Sequence, residues 1–254
     1  MTNQKREEKS VFKEQNKLYE FPYHHIPHFD SDGIGTNHRR LDWGFEYLCL
    51  LKHAKETIEK LNVRSVLDVG CGDGAFLKML DASLDIKGVD LSEEAIHFAT
   101  GFNKGHADVQ QLDASKVKDE YDVVTALEVL EHVPDHAVEG FLQTLIDRTK
   151  SGGYIYITVP STNLPLNKKH YRHYDFALFE EHLHSFSDRI YAVSLDYYYR
   201  DVWWFKYYKR LCNNRFFTGE FHPLRRALWK QTWRLATEVD ETNGYHIVAL
   251  YRKK

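Results

Sequence analysis

The sequence predicts an α/β protein built on a parallel β-sheet, and two observations support this fold class. From residue 65 onward, short β-branched and apolar runs alternate with stretches of helical periodicity, which is the pattern of βαβ units. Right-handed crossovers of such units place helices on both faces of the sheet. The second observation is VLDVGCGDG at residues 66–74, where three glycines follow a strand-like run. Bare backbone at a strand exit is typical of a ligand-binding loop.

The elements follow one another in chain order. Apolar residues recur at steps of three and four over residues 41–61, which predicts an amphipathic helix. The segments expected to form strands are RSVLDVG, IKGVDL, ADVQQLD, YDVVTALEVL, GGYIYITVP, DRIYAVSLDYYY and GYHIVALYRK. The helices expected between them are AFLKMLDAS, EEAIHFATGF and HAVEGFLQTLIDRTK. Gly152 and Gly153 are expected to end the last of these helices.

This order divides the chain into four parts. Residues 1–40 are rich in histidine and aromatic residues without a clear period, and we expect an irregular arm. Residues 41–200 form the core, residues 201–243 a basic and aromatic lid-like insert, and residues 244–254 the last strand of the core.

Bulk composition limits the class of protein. The net charge of −3 gives no general attraction to nucleic acid. The three cysteines lack C-x-x-C spacing, which argues against a disulfide framework and a structural zinc site. The first ten residues lack the apolar stretch of a secretory signal, and no run reaches the ~18 apolar residues of a membrane span. We therefore expect a cytoplasmic protein with reduced thiols.

The spacing of the glycines does not identify the ligand by itself. Gly70, Gly72 and Ala75 also satisfy the G-x-G-x-x-A pattern of dinucleotide enzymes. Asp68, two residues before the first glycine, distinguishes the two classes. A carboxylate there suits a cation or an amino group and is unfavourable beside a pyrophosphate.

In residues 66–74, hydrophobic residues and an acid precede a G-x-G-x-G pattern. This order resembles the first motif of the class I S-adenosylmethionine-dependent methyltransferases. The resemblance implies a Rossmann-like fold with a seven-stranded, mainly parallel sheet and an antiparallel last strand. It also implies S-adenosyl-L-methionine as the cofactor. Asp68 would then lie near the amino group of its methionine part, while Gly70 and Gly72 make room for it.

Further cofactor contacts are expected after the next strands. Asp90 ends the second strand, where a carboxylate can accept both ribose hydroxyls in either cofactor class. The resemblance implies that Asp113 hydrogen-bonds the adenine amino group. By the same resemblance, the cofactor pocket is also bordered by Leu91, Ala114 and Glu128.

The stretch ALEVLEHVPD at residues 126–135 resembles the E-V-hydrophobic-E-H-V segment of methyltransferases that act on quinones, sugars and other small hydroxylated acceptors. With the glycine loop, it extends the family resemblance over about residues 40–160. Methylation of a hydroxyl requires alignment of the acceptor and removal of its proton, a task suited to histidine. We expect His132 and His173 to be catalytic and His170 to lie at the surface. Residues 172–174 resemble the R-H-Y turn that small-molecule O-methyltransferases often carry after the fifth strand, which implies that His173 and Tyr174 lie at the acceptor pocket.

Two alternatives remain open. Glu128, Glu131, His132 and His173 follow the order of the metal ligands in the small-RNA 3'-terminal 2'-O-methyltransferases, so a divalent ion could grip a ribose diol. The main expectation includes no metal. The other alternative is a catalytically silent relative that acts as a cofactor-binding scaffold. The nucleobase N-methyltransferase signature is absent, since the corresponding segment reads VPSTNLPL.

The insert allows four interpretations. Between residues 200 and 234, nine lysine and arginine residues accompany two acids and four tryptophans. Such a segment could stack single-stranded RNA, bind a glycan, or lie on an anionic membrane surface. It could also form a lid with a small tryptophan core and solvated cations. The partner we expect is a small-molecule or glycan acceptor.

Overall fold

The computed structural model describes residues 28–29, 33, 35–36, 41–212 and 221–254. The main strands are β1 Ser65–Val69, β2 Asp85–Asp90, β3 Asp108–Gln111, β4 Tyr121–Leu127, β5 Thr149–Pro160, β6 Ile190–Tyr198 and β7 His246–Lys253. The helices are α1 Leu41–Glu59, α2 Ala75–Met79, α3 Glu93–Phe102, α4 Val138–Arg148, α5 Phe176–His184, α6 Phe205–Cys212 and α7 His222–Leu235. Two short strands, His28–Phe29 and Gly35–Thr36, pair with each other. Most of the predicted N-terminal arm lies outside the described residues.

The seven main strands form one sheet in the order β3-β2-β1-β4-β5-β7-β6. Neighbouring strands are parallel except at β7, which runs antiparallel to both β5 and β6. The order reverses direction between β1 and β4, so the loops after these strands diverge and leave a crevice at their carboxyl ends. The predicted sheet, with its antiparallel last strand, is confirmed.

Helices cover both faces of the sheet because consecutive strand residues point to opposite sides. Val66 joins a core that includes residues of α1, α2, α3, α6 and α7. Leu67, the next residue, joins a separate core with α4 and α5. The two-faced burial of β1 explains why its sequence is a continuous apolar run rather than an alternating one.

The helices of the predicted insert pack directly on the main core. The Phe45 ring of α1 lies 5.5 Å from the ring of Phe205 in α6 and 5.5 Å from that of Trp229 in α7. All three side chains are buried, whereas Trp203 is 75% exposed. Phe205 and Trp229 thus belong to the main core instead of a separate lid core. Across the described ranges, no helix has both the length and the apolar character needed to cross a bilayer.

The two glycines before the fifth strand differ from the sequence expectation. Helix α4 already ends at Arg148, and β5 begins at Thr149, so Gly152 and Gly153 lie inside the strand. A Cβ atom on Gly153 would lie 2.8 Å from the Asp122 carbonyl oxygen and 2.9 Å from that of Lys150. The close approach of β4 and β5 therefore requires glycine at this position.

We predict that Gly153→Ala lowers the free energy of unfolding by about 1–3 kcal/mol, because the crowding atoms belong to the backbone and cannot rotate away. Gly140→Ala in α4 is the matched control, since its new methyl group would meet nothing within 4 Å. It should be neutral or stabilise the protein by up to ~1 kcal/mol through helix propensity. Urea denaturation of both variants measures the difference. Equal stability of the two variants would contradict the close packing of β4 on β5.

Candidate functional site

The residues singled out in the sequence gather at the carboxyl edge of the parallel strands. They are Asp68, Gly70 and Gly72 at the exit of β1, Asp90 and Leu91 at that of β2, Asp113 and Ala114 after β3, Glu128 and His132 after β4, and His173 after β5. Carboxyl ends of parallel strands meet at one edge, and the crevice between β1 and β4 opens there. Residues far apart in sequence are thereby brought together at one site.

The glycine loop after β1 is pinned to β2 and has no space for a side chain at Gly70. The amides of Gly70 and Cys71 both donate to the Val89 carbonyl oxygen, at 2.8 and 3.1 Å. Gly70 has a left-handed φ of +75°, and a Cβ atom on it would lie 2.6 Å from Cγ2 of Val129. The loop thus forms a cradle of bare backbone at the crevice, as a closely approaching ligand requires.

Asp90 is fixed in orientation by this loop. One carboxylate oxygen accepts the amide of Gly72 at 2.9 Å, and the other accepts the amide of Ser92 at 2.8 Å. Burial raises the pKa of Asp90, although these backbone hydrogen bonds oppose the rise. Each oxygen keeps a lone pair for a further donor, so the carboxylate is set to accept two hydroxyl groups.

The positions after β2 and β3 differ in accessibility. Leu91 is 58% exposed, Ala114 is buried, and Asp113 is exposed. The Asp113 carboxylate accepts the amide of Ser115 at 2.8 Å and so begins a short 3-10 turn, Ala114–Lys116. This hydrogen bond gives Asp113 a structural role beside any contact with a ligand.

Asp68 is a buried carboxyl group in the centre of the edge. Thr125 of β4 donates a hydrogen bond of 2.6 Å to it. Burial raises the pKa of Asp68 to about 7; the Thr125 hydrogen bond opposes the rise and the charge of Asp90 adds to it. A cation bound nearby would favour the ionised form. Burial also raises the pKa of the neighbouring Cys71 thiol, and the charges of Asp68 and Asp90 raise it further.

The turn after β4 holds Glu128 in a strained conformation. Glu128 has a left-handed φ of 56°, which costs about 1–3 kcal/mol for a residue with a side chain. Its amide donates to both the carbonyl and the hydroxyl oxygen of Thr158, at 3.1 and 3.0 Å. These contacts with β5 keep the turn in place.

Glu128 also belongs to a charged triad that links α1, β4 and β7, in which His246 is buried and the two glutamates are partly exposed. His246 Nε2 donates to Glu46 Oε1 at 2.6 Å, and His246 Nδ1 lies 3.1 Å from Glu128 Oε2. Burial lowers the pKa of His246, but the two carboxylates outweigh it and raise the pKa to about 10. Burial raises the pKa of Glu128, and the charge of His246 more than reverses this effect. The histidine is therefore a cation between two anions.

Three histidines form a row beside this turn. His132 Nδ1 donates to the Lys169 carbonyl oxygen at 3.0 Å, so its Nε2 carries a lone pair. His173 Nδ1 lies 3.1 Å from the Leu164 carbonyl oxygen, and its Nε2 lies 2.8 Å from His170 Nδ1. His170 must then donate to His173, which leaves a lone pair on its Nε2 as well. The row presents two imidazole nitrogens that can accept a proton or bind a metal.

Burial keeps these imidazoles neutral. It lowers the pKa of His132 and of His173. Burial also lowers the pKa of His170, to about 3, and its two histidine neighbours contribute. His170 is half-buried against the His132 ring, with a centroid distance of 4.7 Å. The expectation that it lies at the surface is wrong, because it bridges His132 and His173.

Glu131 completes a group that could hold a metal ion. One ligand atom each from Glu131, His132 and His170 lies within 4.8 Å of the others. Glu131 is 1% exposed, and its Oε2 has no hydrogen-bond partner. Burial raises the pKa of Glu131 well above its usual range, and the charge of Glu128 adds to the rise. Glu128 and His173, which the sequence placed in the metal alternative, lie outside this group.

Some residues of the site could not be recognised from the sequence. Arg172 donates to the carbonyl oxygens of Leu130 and Val133, at 3.1 and 2.6 Å, and pairs with Asp135. It thereby locks the 3-10 turn that carries Glu131 and His132. Its only sequence signal is its place in the R-H-Y turn after β5. His246 and Glu46 offer no signal, because neither belongs to a motif.

Comparisons with known proteins support the family assignment. A family model described as "Methyltransferase domain" matches residues 38–196. The ubiquinone biosynthesis O-methyltransferase of Nitrosomonas europaea is 32% identical over 123 residues, which are 44% of this chain and 51% of that protein. The enzyme of the same name from Bordetella avium is 33% identical over 122 residues, 44% of this chain and 49% of that protein. The chain thus spans about half the length of these curated relatives.

Solved structures share the fold at low sequence identity. A methyltransferase dependent on S-adenosylmethionine from Archaeoglobus fulgidus has a TM-score of 0.56 at 18% identity, covering 83% of this chain and 95% of that one. The N-methyltransferase NodS from Bradyrhizobium japonicum, solved with S-adenosyl-L-homocysteine, has a TM-score of 0.52 at 14% identity, covering 84% and 89%. Because the family model matches more than half of its length, the chain belongs to the methyltransferase-domain family.

Proposed function

We propose that this protein transfers a methyl group from S-adenosylmethionine to a hydroxyl group of a small acceptor. The observation that carries the proposal is the meeting, at one sheet edge, of the bare-backbone loop and a histidine whose Nε2 is free to accept a proton. The relatives named as ubiquinone biosynthesis O-methyltransferases favour a hydroxyl as the acceptor group.

The chain's own residues fit the cofactor. The bare backbone at Gly70 and Gly72 would let the cofactor approach closely, and the fixed Asp90 carboxylate would accept the two ribose hydroxyls. Asp68 would face the charged amino group, and Asp113 the adenine. Leu91 and Ala114 would border the nucleoside. When bound, S-adenosylmethionine supplies an electrophilic methyl group, so the protein has only to align the acceptor and take its proton.

His132 is the residue we assign to proton removal. The Lys169 carbonyl oxygen holds the proton on Nδ1 and fixes the ring, so that Nε2, which lies 3.6 Å from Glu131 Oε1, would act as a neutral base toward the acceptor. His173 has both ring nitrogens engaged by Leu164 and His170, so we assign it to holding His170 rather than to direct proton transfer. Tyr174 is buried at the same turn.

A second candidate is the same transfer assisted by a divalent ion. Two neutral imidazole nitrogens and a buried carboxylate with an unpaired oxygen suit a transition metal or a similar ion. Glu131, His132 and His170 would hold it, and the ion would lower the pKa of a bound hydroxyl. A metal-assisted mechanism favours an acceptor with two neighbouring hydroxyls, such as an RNA ribose, because both can bind the ion.

The finer assignments are predictions. We propose a small-molecule or glycan acceptor, with RNA or a membrane surface as further partners of the 201–243 segment, and a cytoplasmic location. A silent scaffold is less favoured, since both the cofactor cradle and the free base are present at the site.

The first prediction concerns the pH dependence of cofactor binding. Because the folded-state pKa of Asp68 is raised to about 7, its carboxyl group becomes protonated below that pH and loses its attraction for an amino group. The affinity for S-adenosyl-L-homocysteine should fall by up to about tenfold per pH unit below pH 7. Calorimetry between pH 5.5 and 8.5 measures this change.

Asp68→Asn should remove the pH dependence and bind weakly throughout. Asp119→Asn is the control, because Asp119 is exposed and lies just before β4. This variant should keep the wild-type pH dependence of binding. Binding by the wild type that is independent of pH over this range would contradict the role of Asp68.

The second prediction separates the two candidate mechanisms. His132→Ala should lower kcat by about 10²–10⁴-fold while leaving the affinity for S-adenosyl-L-homocysteine unchanged, because the loss concerns the proton and not the cofactor. Turnover is followed as S-adenosyl-L-homocysteine release with a panel of small phenols, catechols and sugars. His184→Ala, at an exposed position of α5, is the control.

EDTA and His170→Ala decide the role of a metal. If His132 acts as the base alone, EDTA has no effect and His170→Ala costs less than about tenfold. If an ion is required, EDTA abolishes turnover, Mn²⁺ restores it, and His170→Ala is as damaging as His132→Ala. Full activity of His132→Ala would refute both candidates.

A further inference from the structure

One oxygen of Glu128 has no role in the mechanism described so far. Oε2 lies against His246, but Oε1 is buried and makes no hydrogen bond to any described residue. A buried, unpaired acceptor costs about 1–3 kcal/mol, and a carboxylate oxygen costs more. Such an atom needs a donor that the described residues do not supply, and a bound ligand can supply it.

The charges around this oxygen point to a cationic ligand. Glu46 and Glu128 each carry a negative charge, and the single His246 cation between them leaves one negative charge in excess. His246 is 4% exposed, whereas the side chains of Glu46 and Glu128 are 30% and 25% exposed, so water screens this excess only in part. A cation at Glu128 Oε1 would neutralise it.

The position of the turn shows which part of a ligand would meet this oxygen. Val129, the next residue, packs where a side chain on Gly70 would lie, so the turn borders the glycine loop at the end of β1. Asp68, whose carboxyl group we assign to the donor's amino group, lies in β1 and faces Thr125 of β4. The Glu128 turn is therefore at the same end of the cofactor pocket.

We propose that Glu128 receives the ammonium group of the methyl donor assigned under the proposed function, and that His246, backed by Glu46, is its positioning residue. The ammonium group supplies N–H donors for the unpaired Oε1, which the sulfonium of the same molecule lacks. A metal ion at the neighbouring group has closer ligands, because Glu128 lies outside the set formed by Glu131, His132 and His170. The His246 imidazolium, with Nδ1 at 3.1 Å from Oε2, attracts that oxygen and so favours the orientation that leaves Oε1 unpaired.

The test compares two ligands that differ in the amino-acid part. S-adenosyl-L-homocysteine carries the amino group, whereas 5'-methylthioadenosine keeps the nucleoside and the sulfur but has no amino-acid chain. Both dissociation constants are measured by calorimetry at pH 8 in EDTA. Glu128→Gln and His246→Gln should weaken the first ligand by about tenfold or more, and leave the second within about twofold. Glu46→Gln should act in the same direction with a smaller effect.

Controls make each outcome decisive. Glu139→Gln, an exposed carboxylate of α4, should bind both ligands like the wild type. Glu128→Asp should recover part of the lost affinity, as a mere packing defect would not. If a glutamine variant fails to fold, Glu128→Asp tests the proposal in its place, because it should weaken S-adenosyl-L-homocysteine more than 5'-methylthioadenosine relative to the wild type.

If Glu128→Gln weakened the binding of both ligands equally, or did not weaken S-adenosyl-L-homocysteine, the role of Glu128 would be overturned and the proposed function would stand. A wild type that binds neither ligand would overturn the proposed function, and this assignment with it.

Discussion

The parallel pairing of β1 with β4 is the constraint on which the rest of the structure depends. It places Asp68 opposite Thr125 and sets the glycine loop beside the turn that carries Glu128. Strand order reverses at this pair, so the connections leave in opposite directions and the crevice stays open. Every group assigned to the cofactor or the acceptor is arranged around that opening.

The fold and the grouping of the residues assigned to the cofactor were predictable because they depend on local patterns. Gly70, Gly72 and Asp90 belong to strand ends that repeat a known spacing, and the structure places them together as expected. The acceptor half depends on contacts across the sheet. His170 becomes half-buried only when the loop after β5 folds over His132, and His246 reaches Glu128 only through the antiparallel insertion of β7 between β5 and β6.

The ends of helices and strands were also difficult to predict from the sequence. Gly152 and Gly153 suggested a helix stop, since glycine is common there, but tertiary packing used the second of them to let β5 approach the carbonyl of Asp122. The tryptophans of the insert were likewise open to several interpretations, including a small core of their own. Trp229 packs in the main core against Phe45 of α1. A short-range sequence pattern contains no information about this long-range contact.

The burial of Cys71 in the glycine loop has a consequence for the chemistry of the protein. Its thiol is 6% exposed and surrounded by carboxylates that disfavour the thiolate, the form that reacts with oxidants and alkylating reagents. The folded loop thus protects its own cysteine. The rate at which a thiol reagent labels this sulfur would therefore report how often the loop opens locally.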